Sequence, residues 1–316
     1  MVHVGSLPAS IPKHWGADFT PTQHRSLTPS IDPTKVKLPP SFTVLITGAG
    51  KGFGASTALS YAQAGASAII IVARTLSDLE GVSKQINEIS PSTKVLCVPC
   101  DVTKEDQVID LAKKVKERFN RLDVLINNAG KGVSFLADDS VAGGKRFPCD
   151  FIEGSSDEFR DCFELNFFGT YLCVRHLLPL IIATEGGAKA IINIVSGAVH
   201  LASAFLSPIP YNISKLAIVR MSQFLDDSHR ERHGVACYAL HPGSAKTPLT
   251  DGFPPLWDPI LVDDVELCGG YCVWLTKEKR EWLSGRFVCS EWDVDELETM
   301  KDEIVKGDKL RFTMDV

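Results

Sequence analysis

The sequence predicts an α/β fold: a three-layer, doubly wound parallel sheet of about seven strands, covered by helices on both faces in a single domain. Two observations carry this prediction. Short apolar runs of strand length alternate with stretches of helical periodicity from residue 42 onward. The links between them are short, as expected where helices connect the strands of a parallel sheet. We expect this domain to span residues 41–316.

Residues 1–40 precede the domain and are expected to form an arm rather than a second domain. They contain seven prolines and no sustained hydrophobic periodicity. Trp15 and Phe19 are the side chains expected to hold the arm against the body of the protein. A disordered leader is the alternative interpretation.

The first elements predict a dinucleotide-binding unit. Residues 42–47 form an apolar, β-rich run, residues 55–64 have a helical pattern, and Ala68–Ala73 is a second buried strand. Glycines in the turn before the helix let the backbone approach a pyrophosphate, to which the helix N-terminus offers unpaired N–H groups. The alternative is a tight turn that binds nothing. The turn residues expected to bind the cofactor are Gly48, Gly50, Lys51, Gly52, Phe53 and Gly54.

The end of the second strand predicts which dinucleotide binds. Dinucleotide folds usually place an acid here, which bonds to the adenosine ribose. In this chain Ala73 is followed by Arg74 and Thr75, so a ribose 2′-phosphate would meet a guanidinium rather than a repelling carboxylate. Lys51 adds a second cation. These residues favour NADP(H) over NAD(H), and the alternative is that both cations are solvated surface charges.

The alternation of helices and strands continues along the chain. Helices are predicted at residues 78–89 and 104–118, and strands at Lys94–Pro99 and residues 122–126. In an open α/β sheet, ligands lie beyond the carboxyl ends of the strands. The residues expected to contact the cofactor at those ends are Asp101, Val102, Asn128, Ala129 and Gly130.

The second half of the chain predicts the remaining elements and two irregular segments. Residues 131–156 form a polar, glycine-bearing insert, and residues 244–262 form a proline-rich flap over the site. Asp263 or Asp264 is expected to cap the helix that follows the flap. An acidic helix is expected at the end of the chain. The other predictions are helices at residues 157–183, 210–233 and 263–275, and strands at residues 190–195, 235–240 and 286–290.

Ser196, Tyr211 and Lys215 form the predicted catalytic group. Ser196 ends a strand, and Tyr211 and Lys215 lie four residues apart, which places them on one helix face. A neighbouring ammonium favours the phenolate, so we expect Lys215 to lower the tyrosine pKa from its usual value of about 10. The serine hydroxyl can hold a carbonyl oxygen beside that phenol. Alone, Y-x-x-x-K is a weak signal because it occurs by chance in many chains.

Composition and charge argue against several other classes of protein. The formal net charge is −6, and no basic block suits a phosphate backbone, so nucleic-acid binding is not expected. The longest apolar run beside a predicted strand, residues 66–73, is far shorter than the roughly 20 residues of a spanning helix. We therefore expect a cytoplasmic protein with no membrane partner. The nine cysteines are scattered, and no metal site is expected.

These motifs together resemble the short-chain dehydrogenase/reductase family, in its single-domain branch, over residues 41–290. Residues 47–54 match the family's T-G-x-x-x-G-x-G, and residues 127–130 match its N-N-A-G. Pro242 and Gly243 with Thr247 match its P-G-x-x-x-T beside the nicotinamide. Lys51 and Arg74 stand at the basic positions of its NADP-preferring members, and the arm and the C-terminal segment look like a fungal subset. The matching catalytic positions are Asn166, Ser196, Tyr211 and Lys215.

The resemblance implies a Rossmann-type fold and hydride transfer with NADP(H). Tyr211 would donate a proton to the carbonyl oxygen, and Lys215 would lower the tyrosine pKa and hold the nicotinamide ribose. Ser196 would orient the carbonyl, and Asn166 would keep a water in the proton relay. Family members commonly pair their long helices across a two-fold axis, so we expect a homodimer or homotetramer. The insert after Gly130 and the slightly long Ser196–Tyr211 spacing reshape the substrate pocket.

The leading interpretation is NADPH-dependent reduction of a ketone or aldehyde, or the reverse oxidation of an alcohol. Apolar residues in the flap and the neighbouring walls predict a bulky, apolar substrate, although they can also serve only to pack the flap. Two other functions stay open: an NADPH-binding sensor or scaffold without turnover, and an epimerase or dehydratase on the same fold. The wall residues are Leu201, Phe205, Leu206, Ile209, Leu249, Phe253, Leu256 and Trp257.

Overall fold

A computed structural model describes Gly16, residues 18–204 and residues 206–314 of the chain. Trp15, expected to anchor the arm, and Phe205, expected in the pocket wall, lie outside the described residues. The pattern of buried and exposed residues follows the alternation seen in the sequence. All five residues of the first strand are buried, for example, because helices cover both faces of the sheet.

A parallel sheet of seven strands forms the centre of the molecule, which confirms the predicted fold class. The strand order is β3-β2-β1-β4-β7-β8-β9, and every neighbouring pair is parallel. The order reverses between β1 and β4, so the crevice for a ligand is expected there, beyond the carboxyl ends of the strands. The strands are β1 (Thr43–Thr47), β2 (Ala68–Ala73), β3 (Lys94–Pro99), β4 (Val124–Asn127), β7 (Ala190–Ile194), β8 (Ala236–His241) and β9 (Phe287–Cys289).

Helices pack against the two faces of this sheet and divide the core into two parts. Alternate strand residues face opposite sides, so Val44 and Ile46 join one part while Leu45 joins the other. Buried residues of α1, α2, α6, α7, α8 and α9 belong to the first part, and those of α3 and α5 belong to the second. The helices are α1 (Gly52–Gln63), α2 (Leu76–Ile89), α3 (Glu105–Phe119), α4 (Ser156–Phe163), α5 (Gly169–Ala183), α6 (Ile209–His233), α7 (Glu266–Lys277), α8 (Val294–Thr299) and α9 (Lys301–Lys306).

The long helix predicted at residues 157–183 contains a π-helical turn, Glu164–Phe168, between α4 and α5. Asn166 lies in this turn and is fully buried. Single π turns often occur at functional sites, because the wider turn re-aims one side chain. The turn therefore marks Asn166 for closer inspection.

One helical stretch among the described residues, Ser156–Ala183, is long and apolar enough to cross a membrane. Within the fold, 44% of its most apolar window is buried. Leu172, Leu177 and Ile181 of this stretch pack in the second part of the core. A helix that covers a sheet has the same composition, because one of its faces is core.

The two irregular segments fold back beside the sheet. The insert after Gly130 contains a small antiparallel hairpin, β5 (Leu136–Ala137) with β6 (Lys145–Arg146). The flap has turns and a short 3₁₀ stretch, Pro255–Trp257. The capping prediction for α7 was wrong: Val265 precedes the helix, and no side chain caps it. Asp263 instead forms the contacts with Arg25 and Ser244 described below.

The described part of the arm, up to residue 40, packs along the C-terminal segment after β9. The rings of Phe19 and Trp292 lie 5.1 Å apart between centroids, so Phe19 does hold the arm as predicted. The Trp292 indole also donates to the Gly16 carbonyl at 2.9 Å. Side-chain bonds join Thr22 to Glu296 and Ser30 to Asp295. The arm is thereby part of the folded body rather than a free leader over these residues.

Candidate active site

A cavity of about 570 Å³ opens at the carboxyl ends of β1, β2, β4, β7 and β8. It brings together the glycine turn, the residues after the strand ends and the catalytic group predicted from the sequence. Gly54 and Asn166 are the two predicted site residues that do not line it. Those that do are Gly48, Gly50, Lys51, Gly52, Phe53, Arg74, Thr75, Asp101, Val102, Asn128, Ala129, Gly130, Ser196, Tyr211, Lys215, Pro242, Gly243 and Thr247.

The glycine turn adopts backbone conformations that require glycine. Gly48 and Gly52 have φ values of +64° and +55°. Lys51 precedes α1 without a side-chain cap, so the first N–H groups of the helix remain available to an anion at the cavity edge. Gly54 is buried behind the turn, and a Cβ there would lie 2.4 Å from Asn128 Nδ2 and from the Gly48 carbonyl. A side chain at this position would therefore clash with the turn, and its close packing requires glycine.

Asn128 and Thr47 hold the ends of β4 and β1 together beside the turn. The Asn128 amide donates to the carbonyl oxygens of Thr47 and Gly48 at 3.0 and 3.1 Å. The Thr47 hydroxyl accepts from the backbone N–H groups of Asn128 and Ala129 at 3.0 and 3.1 Å. These bonds fix the backbone at the point where the strand order reverses, and therefore fix the floor of the cavity.

Arg74 and Lys51 lie on the β2 side of the cavity, as the sequence predicts. Within the described residues no carboxylate comes within ion-pair distance of Arg74. The pKa of Asp101 is lowered mainly by hydrogen bonds from Thr103, and the charge of Arg74 makes a smaller contribution in the same direction. Lys51 has a partner that sequence reasoning missed, Asp78 in the first turn of α2, with Nζ–Oδ2 at 3.2 Å. No local pattern in the sequence indicates this pair, because the two residues belong to separate elements.

Lys215 is 4% exposed, and its ammonium donates to the carbonyl of Ile194 at the end of β7, 2.8 Å away. Burial penalises the charged form and lowers its pKa to about 8. The Nζ atom lies 5.9 Å from the centroid of the Tyr211 ring. Lys215 is therefore fixed by the sheet rather than by the tyrosine.

Tyr211 keeps part of its surface open to the cavity, beside Ser196. Burial raises the pKa of Tyr211 to about 12, and a hydrogen bond with Ser196 pulls it in the opposite direction. The sequence-based expectation that Lys215 lowers this pKa is wrong in the structure. Desolvation of the phenol outweighs the attraction of an ammonium that does not contact it.

The Asn166 side chain does not line the cavity and instead forms hydrogen bonds with neighbouring protein groups. Its Oδ1 accepts from the backbone N–H of Lys131 at 2.8 Å, and its Nδ2 donates to the Lys131 carbonyl and to Ser214 Oγ at 3.1 and 3.0 Å. The Cys162 thiol lies 3.3 Å from the same nitrogen. A Cβ on Gly130 would lie 3.3 Å from both Asn166 Oδ1 and Lys215 Nζ. Asn166 thus fixes the first residue of the insert beside the lysine.

Aromatic side chains from two separate segments form one wall of the cavity. Phe147 from the insert lies 5.3 Å from Phe253 and 6.0 Å from Trp257 of the flap, between ring centroids and edge to face. Phe135 stacks behind Phe147 at 4.7 Å. Of the predicted wall residues, Leu206, Leu249, Phe253 and Trp257 line the cavity, and Leu201, Ile209 and Leu256 do not. Sequence reasoning missed Phe135 and Phe147, because nothing in a polar insert indicates that its two phenylalanines meet the flap.

Residues 42–255 match the family model for short chain dehydrogenases, and the chain belongs to this family. A relative from Aspergillus terreus, the short chain dehydrogenase pgmD, is 41% identical over 311 residues, which cover 96% of each chain. The motifs quoted above are therefore family motifs, and the protein is an oxidoreductase of the dehydrogenase/reductase type. Members of this family use NAD(P)H as the hydride carrier.

Solved structures share the fold and include both forms of the cofactor. L-sorbose reductase from Gluconobacter frateurii, complexed with NADPH and L-sorbose, superposes with a TM-score of 0.65 at 23% identity and covers 82% of this chain and 96% of its own. A 3-ketoacyl-(acyl-carrier-protein) reductase from Brucella melitensis, complexed with NADH, gives 0.66 at 25% identity, with 78% and 96% covered. Fold similarity alone therefore does not identify the cofactor, and the residues around β2 are the ones that bear on it.

Proposed function

We propose that the protein reduces a ketone or aldehyde with NADPH, using Tyr211 as the proton donor. The observation that carries the proposal is that Ser196, Tyr211 and Lys215 line the same cavity as the glycine turn. When bound, NADPH supplies the hydride. The residues of the chain supply binding, orientation and the proton.

The raised pKa of Tyr211 supports the reductive direction. A phenol with a pKa of about 12 is protonated at neutral pH, which is the form needed to donate. Hydride addition to a carbonyl carbon leaves an alkoxide, which is a stronger base than a phenolate and takes the proton readily. In this proposal the Ser196 hydroxyl holds the carbonyl oxygen beside that phenol. Oxidation of an alcohol would instead require Tyr211 to begin as the phenolate.

Lys215 is suited to hold the nicotinamide ribose. With a pKa of about 8 it is still mostly protonated at neutral pH, and only one of its donor positions is taken by the Ile194 carbonyl. The remaining N–H groups can donate to ribose hydroxyls and stabilise a phenolate formed when Tyr211 gives up its proton. In this proposal Asn166 acts by fixing Lys131 and Gly130 next to the ammonium.

The proposed preference for NADPH rests on Arg74. Its guanidinium, exposed at the end of β2, can bind a ribose 2′-phosphate through two parallel hydrogen bonds. Asp78 partly offsets the contribution of Lys51, because the two are paired at 3.2 Å. Arg74 is therefore the residue on which the choice of cofactor depends.

The aromatic wall supports a bulky, apolar carbonyl substrate. Phe147, Phe253 and Trp257 present ring edges and faces that can pack on a flat or ring-containing molecule. A sensor or scaffold without turnover would not need an intact proton donor, and this favours an enzyme. No observation favours an epimerase or dehydratase. The cytoplasmic location and the lack of nucleic-acid or membrane partners stay predictions.

The Tyr211→Phe variant tests the mechanism. It keeps the ring and its packing but removes the proton, so kcat should fall by about 10²–10⁴-fold, the usual contribution of general acid catalysis. NADPH binding should stay within about twofold, because Lys215 remains in place. Stopped-flow NADPH oxidation with an accepted carbonyl, and fluorescence titration of NADPH, measure the two effects. Turnover near the parental rate would rule out Tyr211 as the donor, and no turnover by the unaltered protein with any carbonyl would favour a scaffold.

The Arg74→Asp variant tests the choice of cofactor. Loss of a charge-assisted hydrogen bond, replaced by repulsion, should weaken NADPH binding about 10–100-fold while NADH binding changes little. Arg118→Asp, an exposed change at the end of α3, serves as the control with the same charge difference. Equilibrium titration of all three proteins with both cofactors gives the ratios. An unchanged preference in Arg74→Asp would reject the assignment.

Self-association through α5 and α6 is proposed from the exposed apolar side chains there. Tyr171, Ile213 and Phe224 are 37%, 39% and 65% exposed. Large exposed apolar side chains in a patch commonly mark an interface. We expect a homodimer or homotetramer by light scattering after gel filtration, and Phe224→Glu should shift the mass toward the monomer. Ile152→Glu, on an exposed residue of the insert, is the control; a monomeric unaltered protein at micromolar concentration would contradict the proposal.

A further inference from the structure

Arg25, in the arm, is paired with two buried carboxylates beside the cavity. Its Nη1 donates to Asp263 Oδ1 at 2.9 Å and also to a carboxylate oxygen of Glu291. The side chains of Asp263 and Glu291 are 0% and 11% exposed, whereas that of Arg25 is half exposed. Buried carboxylates are costly unless a cation and hydrogen bonds compensate them. The arm therefore supplies a charge that the body of the protein needs at this place.

Asp263 connects this ion pair to the backbone that follows β8. The Ser244 N–H donates to Asp263 Oδ2, and the Asp263 N–H donates back to the Ser244 carbonyl at 3.1 Å. Gly243 has φ +89°, and a Cβ there would lie 2.9 Å from the same carboxylate oxygen. The Asp264 N–H donates to the Arg25 carbonyl at 2.7 Å. The segment after β8 is thus held between the carboxylate and the arm.

Glu291, the second carboxylate partner of Arg25, also lies near His241 at the end of β8. Its Oε2 lies 3.6 Å from His241 Nε2 and 3.3 Å from the Cys289 sulfur. A Cβ on Gly197, the residue after Ser196, would lie 3.4 Å from the His241 ring. Through its two carboxylate partners, the guanidinium of Arg25 is therefore connected both to the backbone at Ser244 and to the His241 ring next to Gly197.

His241, Cys289 and Glu291 also have ligand atoms within 4.8 Å of one another, which is the spacing of a metal site. Arg25 already places a positive charge on Glu291. Burial lowers the pKa of His241 to about 4 and raises the pKa of the Cys289 thiol, so both side chains are neutral at neutral pH. The guanidinium of Arg25 therefore already neutralises the one charged member of this group, Glu291, as a metal ion would.

We propose that Arg25 is a positioning residue for the nicotinamide half of the cofactor site. Pro242, Gly243 and Ser244 line the cavity at the end of β8, on the opposite side of the switch point from the glycine turn and Arg74. By fixing Asp263, Arg25 fixes this backbone. The adenosine half of the cofactor would be bound by residues at the ends of β1 and β2, which Arg25 does not contact. The inference rests on the proposed use of NADPH, and it gives the arm a role in the site.

The test compares two nucleotides on four proteins. NADPH occupies both halves of the site, whereas adenosine 2′,5′-bisphosphate occupies only the adenosine half. The proteins are the unaltered chain, Arg25→Gln, Arg25→Lys and Ser30→Ala. Ser30→Ala is the matched control, because it removes another arm contact, to Asp295 at 2.6 Å, that does not reach the cavity. Binding is measured by fluorescence and calorimetry, and folding by thermal melting.

Arg25→Gln should raise the Kd for NADPH about tenfold, the effect of losing roughly one charge-assisted hydrogen bond, with the bisphosphate within about twofold. Arg25→Lys should recover most of the NADPH affinity, since one ammonium can reach both carboxylates. Ser30→Ala should change neither. This pattern separates positioning from a general loss of stability, which would weaken both nucleotides together.

Three outcomes would overturn the inference. They are unchanged NADPH binding in Arg25→Gln, equal losses for both nucleotides, and stoichiometric zinc in the purified protein that Cys289→Ala abolishes. The nucleotide-binding measurements do not need a substrate. A failure of carbonyl reduction therefore rejects the proposed reaction and leaves this test of Arg25 intact. If the unaltered protein prefers NADH, the NADPH proposal is wrong, and NADH with AMP provides the same comparison for Arg25.

Discussion

The burial of Lys215, together with the partial burial of Tyr211, is the constraint on which the site depends. Desolvation disfavours the charged form of each group, so it raises the pKa of the phenol to about 12 and lowers that of the ammonium to about 8. The two shifts have opposite signs and one cause. They leave a protonated phenol near an ammonium that is still largely charged at neutral pH, which is the arrangement that the proposed carbonyl reduction requires.

The fold supplies this environment through the ends of its central strands. β7 provides the carbonyl that holds Lys215, and β1 and β4 are tied by Thr47 and Asn128 at the switch point. Segments outside the sheet then complete the cavity. The insert and the flap meet through aromatic rings, and the arm reaches the backbone after β8 through Arg25 and Asp263. The strand ends thus form the floor of the cavity, and the added segments complete its walls.

Local patterns in the sequence were sufficient to predict the sheet and most of the residues that line the cavity. Strand Lys94–Pro99 was predicted to the residue, because apolar runs and flanking turns are local signals. Contacts between distant segments were not predictable in the same way. The Lys51–Asp78 pair, the meeting of Phe147 with Trp257 and the 238-residue separation of Arg25 from Asp263 depend on tertiary packing. The predicted direction of the Tyr211 pKa shift was wrong for a related reason. Sequence spacing shows which charges are near the phenol, but not how far the fold removes the phenol from water.

The most direct test of this account is a titration of the Tyr211 phenol. Protein labelled with ¹³C at the tyrosine Cζ, compared with Tyr211→Phe to assign the resonance, reports ionisation by NMR across the alkaline range. We predict that the Tyr211 signal does not shift below pH ~10, the usual tyrosine pKa, and that it gives an apparent pKa of about 12. An apparent pKa clearly below about 10 would show that the Lys215 charge outweighs desolvation, and would contradict the account.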